Sequence, residues 1–222
     1  MIAAVIALVV FTLLDPKATV AQRNEACFAL RGNRDAEVVD ALRRAMADPV
    51  VRTCAARNLR EAGASAALLD ALASGDPDTR IAAAHGLGEL RLPAAIEPLG
   101  AAALDENRLV RASAIDALAD YSDKAVLPML LRAGALEQAA RFRDPAVLPL
   151  ARRSLASGDP AIQLIAMSVL ADLGDISDLP TLQELAKNSE PLANRGRGFG
   201  FMPAIDLGHA ARTTIRAIEG RQ

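Results

Sequence analysis

The residues that could do chemistry in this chain are few: His85 and His209, Cys27 and Cys54, a recurring acidic position, and an Arg-Gly-Arg-Gly run at residues 195–198. The two thiols have no histidine near either of them, so they make no zinc site, and a disulfide framework is not expected from two cysteines. They read as small core-filling residues. No nucleophile stands beside a base, and neither a phosphate-cradling loop nor a dinucleotide fingerprint occurs. Gly86-Leu87-Gly88 lies within a helical period and reads as close helix packing. The expectation is a chain without catalytic, cofactor-binding or metal-binding residues, and so not an enzyme.

Composition narrows the remaining classes. The net charge is −2, which argues against a general phosphate-backbone binder, so no nucleic-acid partner is expected. Hydrophobic residues make up 52 % of the chain but aromatics only 3 %, with no Trp and one Tyr. The core must therefore be built from Ala, Leu, Val and Ile. Ala and Leu are strong helix formers, and small residues let helices approach closely, so essentially no sheet is expected.

What positions these residues is a repeat. Asp48-Pro49 followed by Arg52, Ala55 and Leu59 recurs as Asp76, Arg80, Ala83, Leu87, and with an Asn cap as Asn107, Arg111, Ala114, Leu118. A looser copy has Asp159, Gln163, Ala166 and Leu170; a front copy has Arg23, Ala26 and Leu30, with Asp15-Pro16 one helical turn further upstream. The arginines fall 29, 28 and 31 residues apart. Asp or Asn caps a helix while Pro fills its first position without loss. Between these inner helices lie outer ones, near Val38, Leu68, Ile96, Val126, Val147 and Leu179, four of them with proline in the first turn. Short links such as 32–35 and 62–64 make neighbours antiparallel. The chain is thus all-α, a right-handed α-solenoid of antiparallel helix pairs.

Residues 15–222 read as one array, with an irregular repeat near 130–145 and a Gly-rich loop at 189–203. In that loop Arg195 and Arg197 beside Phe199 and Phe201 can contact RNA or an acidic peptide, or the phenylalanines can cover the end of the core. Residues 1–14 form an apolar segment with two readings. Residues 2–14 carry no charge and suit the core of an export signal or a membrane contact, with Thr19-Val20-Ala21 as a cleavage site. Alternatively they are a first helix covered by a partner or a second copy. The first reading makes the chain exported or membrane-associated, the second leaves it cytoplasmic.

Counting each repeat arginine as zero, positions +3 and +7 face the core and +1, +5 and +9 point away from it. Stacked inner helices line the latter into a row on the concave side. Its candidate partner-binding residues are Arg57, Glu61, His85, Glu89, Asp116 and Asp120, with Phe28, Ile81 and Leu164 as apolar points. Position +9 is acidic in four recognisable repeats, Glu61, Glu89, Asp120 and Asp172. An acid at a helix C-terminus is unfavourable to the dipole by a few tenths of a kcal/mol. Such a row attracts a basic segment of a partner; the alternative is a solvated face inherited with the repeat.

The Asp-Pro turn, the arginine, the alanines and leucine, the Gly or Asp link and the proline-initiated second helix together resemble the HEAT repeat, in the short form found in bilin-lyase subunits. The resemblance covers about residues 15–187. It implies that Asp48, Arg52, Asp76, Arg80, Asn107 and Arg111 tie neighbouring repeats together. Some HEAT-like proteins are metal-dependent hydroxylases with paired His-Glu steps, but here Gly86 follows His85 and Ala210 follows His209. HEAT-like DNA glycosylases use a basic, aromatic groove that this composition lacks. The resemblance points to a non-catalytic scaffold binding a protein partner on the concave face. Its alternatives are an accessory subunit of an enzyme complex such as a bilin lyase, and a membrane-tethered or exported assembly factor.

Overall fold

The computed structural model describes residues 2–188 and 206–221, which are helical with no strand among them. The Gly-rich loop at 189–203 lies outside the described residues, and so do both of its readings. The chain groups into two compact units, Met1–Met129 and Leu130–Gln222.

In the first unit α1 (Ile2–Leu14) packs on α2 (Val20–Ala29), α3 (Ala36–Ala45) on α4 (Arg52–Ala62), α5 (Ser65–Leu72) on α6 (Pro77–Leu90), and α7 (Ile96–Ala102) on α8 (Arg108–Ala119). The short α9 (Leu127–Arg132) spans the division. The second unit holds α10 (Leu136–Ala140), α11 (Leu148–Ser154), α12 (Pro160–Leu173), α13 (Leu179–Asn188) and α14 (Leu207–Glu219). The stretch too short for two helices supplies only the five residues of α10.

The +3 and +7 positions form the core as the period requires: Ala26 and Leu30, Ala55 and Leu59, Ala83 and Leu87, Ala114 and Leu118, Ala166 and Leu170 are all buried. Glycine lets α6 and α8 meet backbone to backbone. A Cβ on Gly88 would lie 2.8 Å from the Cα of Ala117, closer than any side chain tolerates. Gly32 and Gly63 leave their helices with φ +71°, the left-handed exit that the links predict.

Successive arginine-bearing helices are held at their N-terminal ends by ion pairs from each repeat to the next. Arg23 pairs with Asp48, Arg52 with Asp76 at 2.8 Å, and Arg80 with Asp105 at 3.0 Å. The tie implied for Asp48, Arg52, Asp76 and Arg80 is therefore present. Asn107 is a correction: Arg80 reaches Asp105, while Asn107 caps α8 by accepting the Leu109 N–H. An amide has no charge to offer a guanidinium, and a carboxylate two residues upstream does. Arg111 donates to the Asp105 and Glu106 carbonyls.

Three further expectations are corrected. Helix α4 begins at Arg52, not at Pro49; the backbone at 48–51 turns first, and the Asp48 side chain accepts the Val50 N–H. At the front copy the cap is Thr19, whose hydroxyl accepts the Gln22 N–H while Gln22 accepts the Thr19 N–H. This capping box lies one turn nearer the helix than Asp15-Pro16. Lastly, Cys27 and Cys54 are not merely core-filling: they form a disulfide between α2 and α4, with Cα atoms 6.4 Å apart. A separation of 27 residues, close to one repeat, brings both to facing sides of parallel neighbours.

Removing that cross-link, by reduction or by Cys54→Ala, is expected to lower stability by about 3 kcal/mol. The urea midpoint with and without reductant measures it. Two thiols titrating in the unreduced, unfolded chain would contradict the pairing.

Candidate functional site

The candidate residues occupy one face of α4, α6 and α8 in the first unit. Asp116, Asp120, His85 and Glu89 are exposed, and Arg57 and Glu61 are half-buried. Of the helices that carry them, α4 and α6 are pinned by ion pairs at both ends. Beyond the N-terminal ion pairs, Arg31 at the end of α2 donates to Glu61 at 2.7 and 3.0 Å, and Arg60 at the end of α4 donates to Glu89. Contacts start-to-start and end-to-end make α2, α4 and α6 run parallel and in register.

These pairs give Glu61 and Glu89 a structural duty that the acidic period does not reveal. The Arg31 hydrogen bond holds the Glu61 carboxyl below the usual carboxylate range, and Glu61 in turn raises Arg31. In the second unit Asp172 at the same position accepts Arg143 at 2.7 Å. Three of the four acids at +9 thus answer an arginine from the preceding repeat. The signal was present as Arg31 and Arg60, each eight residues beyond its repeat arginine. Asp116 and Asp120 have no ion pair among the described residues.

Two hollows of the first unit bear on binding. The larger, about 560 Å³, lies between α5 and α7; its charged residues include Arg80 and Asp105, which neutralise one another. The smaller, about 360 Å³, lies on the candidate row between α4 and α6. Arg57, Ile81, His85 and Glu89 line it, with Ala56 and Ala82 leaving it room. The Arg57 guanidinium stands over the Phe28 ring, 5.3 Å from its centroid, and Phe28 is 56 % exposed. Both Arg57 and Phe28 belong to the row that the +5 spacing predicts. Leu164 and Ser168 sit on α12 in the second unit.

At the edges of the row, carboxylates are tuned by their structural bonds. The Thr79 hydroxyl donates to Asp76 at 2.7 Å and lowers it, with Arg52 acting in the same direction against burial. Burial pushes Asp105 up, but the Asn107 N–H and Arg80 together outweigh it and hold this carboxyl low. Among the described residues no group of three or more His, Cys, Asp or Glu is placed to hold a metal ion.

Comparison with known proteins places HEAT repeats at residues 65–133. The match specifies HEAT repeats and goes no further toward the bilin-lyase form. None of the curated proteins matches. Among solved structures, an engineered protein is similar at 18 % identity over 96 % of this chain and 68 % of its own, with a TM-score of 0.51. It shares the fold. A second engineered protein is similar at 17 % identity over 97 % and 96 % of the two chains, TM-score 0.40. Human deoxyhypusine hydroxylase in complex with glycerol is similar at 18 % identity over 98 % and 96 %, TM-score 0.38. The last two superpose too loosely to bear on this chain.

A carboxyl held low in the fold contributes stability above its unfolded pKa and loses it as pH falls through the folded value. Stability is therefore expected to drop on acidification below about pH 4. Asp105→Asn should reduce both the stability at pH 7 and the size of that drop. Urea midpoints at pH 7, 4 and 3 measure it; an unchanged acid profile would remove Asp105 from the account.

Proposed function

We propose that this chain, which carries HEAT repeats over residues 65–133, is a non-catalytic scaffold that docks a protein partner along the exposed row of α4, α6 and α8. One observation carries the reading: the stack is held by contacts near the helix ends and in the core, and apart from Arg57 on α4, which stands over Phe28 of α2, the mid-row side chains take no part in holding it. Thr53, His85, Asp116 and Asp120 are exposed at outward positions of three successive repeats. An open strip of mixed polarity on a rigid base is the usual form of a protein-docking face in stacked helical repeats. Its chemistry suits recognition, since neither histidine has the His-Glu step of a hydroxylase site. An accessory role within an enzyme complex is one setting for such a scaffold.

A second reading has its own observation. Helix α1 turns Ile2, Val5, Leu8 and Phe11 outward, between 61 and 79 % exposed, with only Leu13 buried. An apolar face of this kind supports a membrane-tethered assembly factor. No helix among the described residues is long and apolar enough to cross a membrane, so the tether would lie against the surface.

A photo-crosslinking side chain introduced at Ala112 or Asp116 is expected to give a protein adduct in cells, and one at Arg44 or Glu97 on the outer helices is not. Equal labelling on both faces would reject the row. For the second reading, sedimentation with phosphatidylglycerol-containing vesicles should carry the chain down, and Phe11→Glu should release it. A chain that stays in the supernatant removes the tether and leaves the docking row untouched.

A further inference from the structure

We infer that the cleft between α4 and α6 takes a carboxylate-bearing peptide segment, with Arg57 as the group that holds the carboxylate. The inference rests on the reading of the row as a docking face and names the chemistry of what docks there. The acidic period by itself points the other way, to a basic partner. The ion pairs reverse that expectation. Glu89 is taken by Arg60, Glu61 by Arg31, and Asp78 by Arg52 at 3.1 Å, so the carboxylates in and beside the cleft already have cations.

Arg57 differs from the other two arginines of the cleft. Among the described residues no carboxylate lies within ion-pair distance of it. Its Nη2 finds only the sulfur of Cys54 at 3.8 Å, a weak acceptor already bound in the disulfide. Its Nε is buried and has no partner. A guanidinium keeps its charge in any such setting, and the carboxylate near enough to feel it, Glu61, is already bonded to Arg31, so Arg57 is left without an ion pair of its own.

Geometry then favours a carboxylate over other acceptors. The Phe28 ring lies 5.3 Å from the Arg57 guanidinium and offers it a stacking surface, and the guanidinium fork can bind a carboxylate through two parallel hydrogen bonds. The exposed edge of Phe28 and the side chain of Ile81 flank the same spot with apolar surface. The matching segment therefore has an Asp or Glu next to an apolar side chain. A hollow of about 360 Å³ is at the small end for an organic ligand and suits side chains of a peptide.

The test is selection of a phage-displayed library of random peptides of about 12 residues on the immobilised full-length chain. Enriched peptides are expected to pair an acidic with an apolar residue. Arg57→Gln should cut their affinity at least tenfold, and Arg57→Lys, which keeps the charge but loses the fork, should fall between. Should Arg57→Gln fail to fold, Arg57→Lys decides alone. Enrichment of Lys- and Arg-rich peptides, or acidic peptides held equally well by the Arg57 variants, overturns this inference and leaves the docking row standing. No peptide displaced by Asp116→Arg or Arg57→Gln overturns the row itself, and the inference with it.

Discussion

Each repeat arginine works in two directions at once. Arg52 donates to the Met46 carbonyl of its own loop and reaches Asp76 of the next repeat; Arg80 does the same with Ser74 and Asp105. These side chains are only 12–15 % exposed, with the exception of Asp76, which is more open. A bond between ions of this kind is stronger than a neutral one, and it satisfies loop carbonyls that helix termini would otherwise leave open. The link sets the distance and the register between parallel helices, and alanines and glycines at the contacts let them close. Where the arginine is replaced the two duties separate: Gln163 still donates to the Leu155 carbonyl, but has no charge for a neighbour.

The second set of pairs, at the C-terminal ends, decides what the exposed row can offer. With Glu61 and Glu89 engaged by Arg31 and Arg60, the row is not a uniformly acidic strip. Among the described residues Arg57 on α4, Asp116 on α8 and Asp120 at the C-cap of α8 have no ion pair, so unlike charges lie in order along the row. A surface with an internal order of charge selects its partner by register more than by attraction alone. Ion pairs in the frame thus shape recognition by removing charges from it.

At the front of the first unit the disulfide adds a covalent point to the same frame. It joins α2 to α4 close to Asn58, whose Nδ2 donates to the Cys27 carbonyl at 2.7 Å from a fully buried position. In the second unit the frame is closed differently. Arg152 grips Asp178 and Asp175 in the loop before α13, and Arg221 caps the end of α12 through the Gly174 carbonyl at 2.7 Å. Each end has its own device because an end repeat lacks the neighbour that an interior repeat uses.

By itself the sequence determined the class of the fold, the helix pairs and the core. A period near 30 with Ala and Leu four apart can be satisfied only by helices stacked in one direction, and that rests on local spacing. It also located the row, because helical geometry dictates which positions turn away from the core. Whether a charge on that row is open was another matter. Glu61 and Glu89 look like free acids along the chain, and Cys27 and Cys54 like isolated thiols, because their partners lie a full repeat away. Only the tertiary structure decided those pairings, since they depend on the offset between neighbouring helices, a distance that no single repeat encodes.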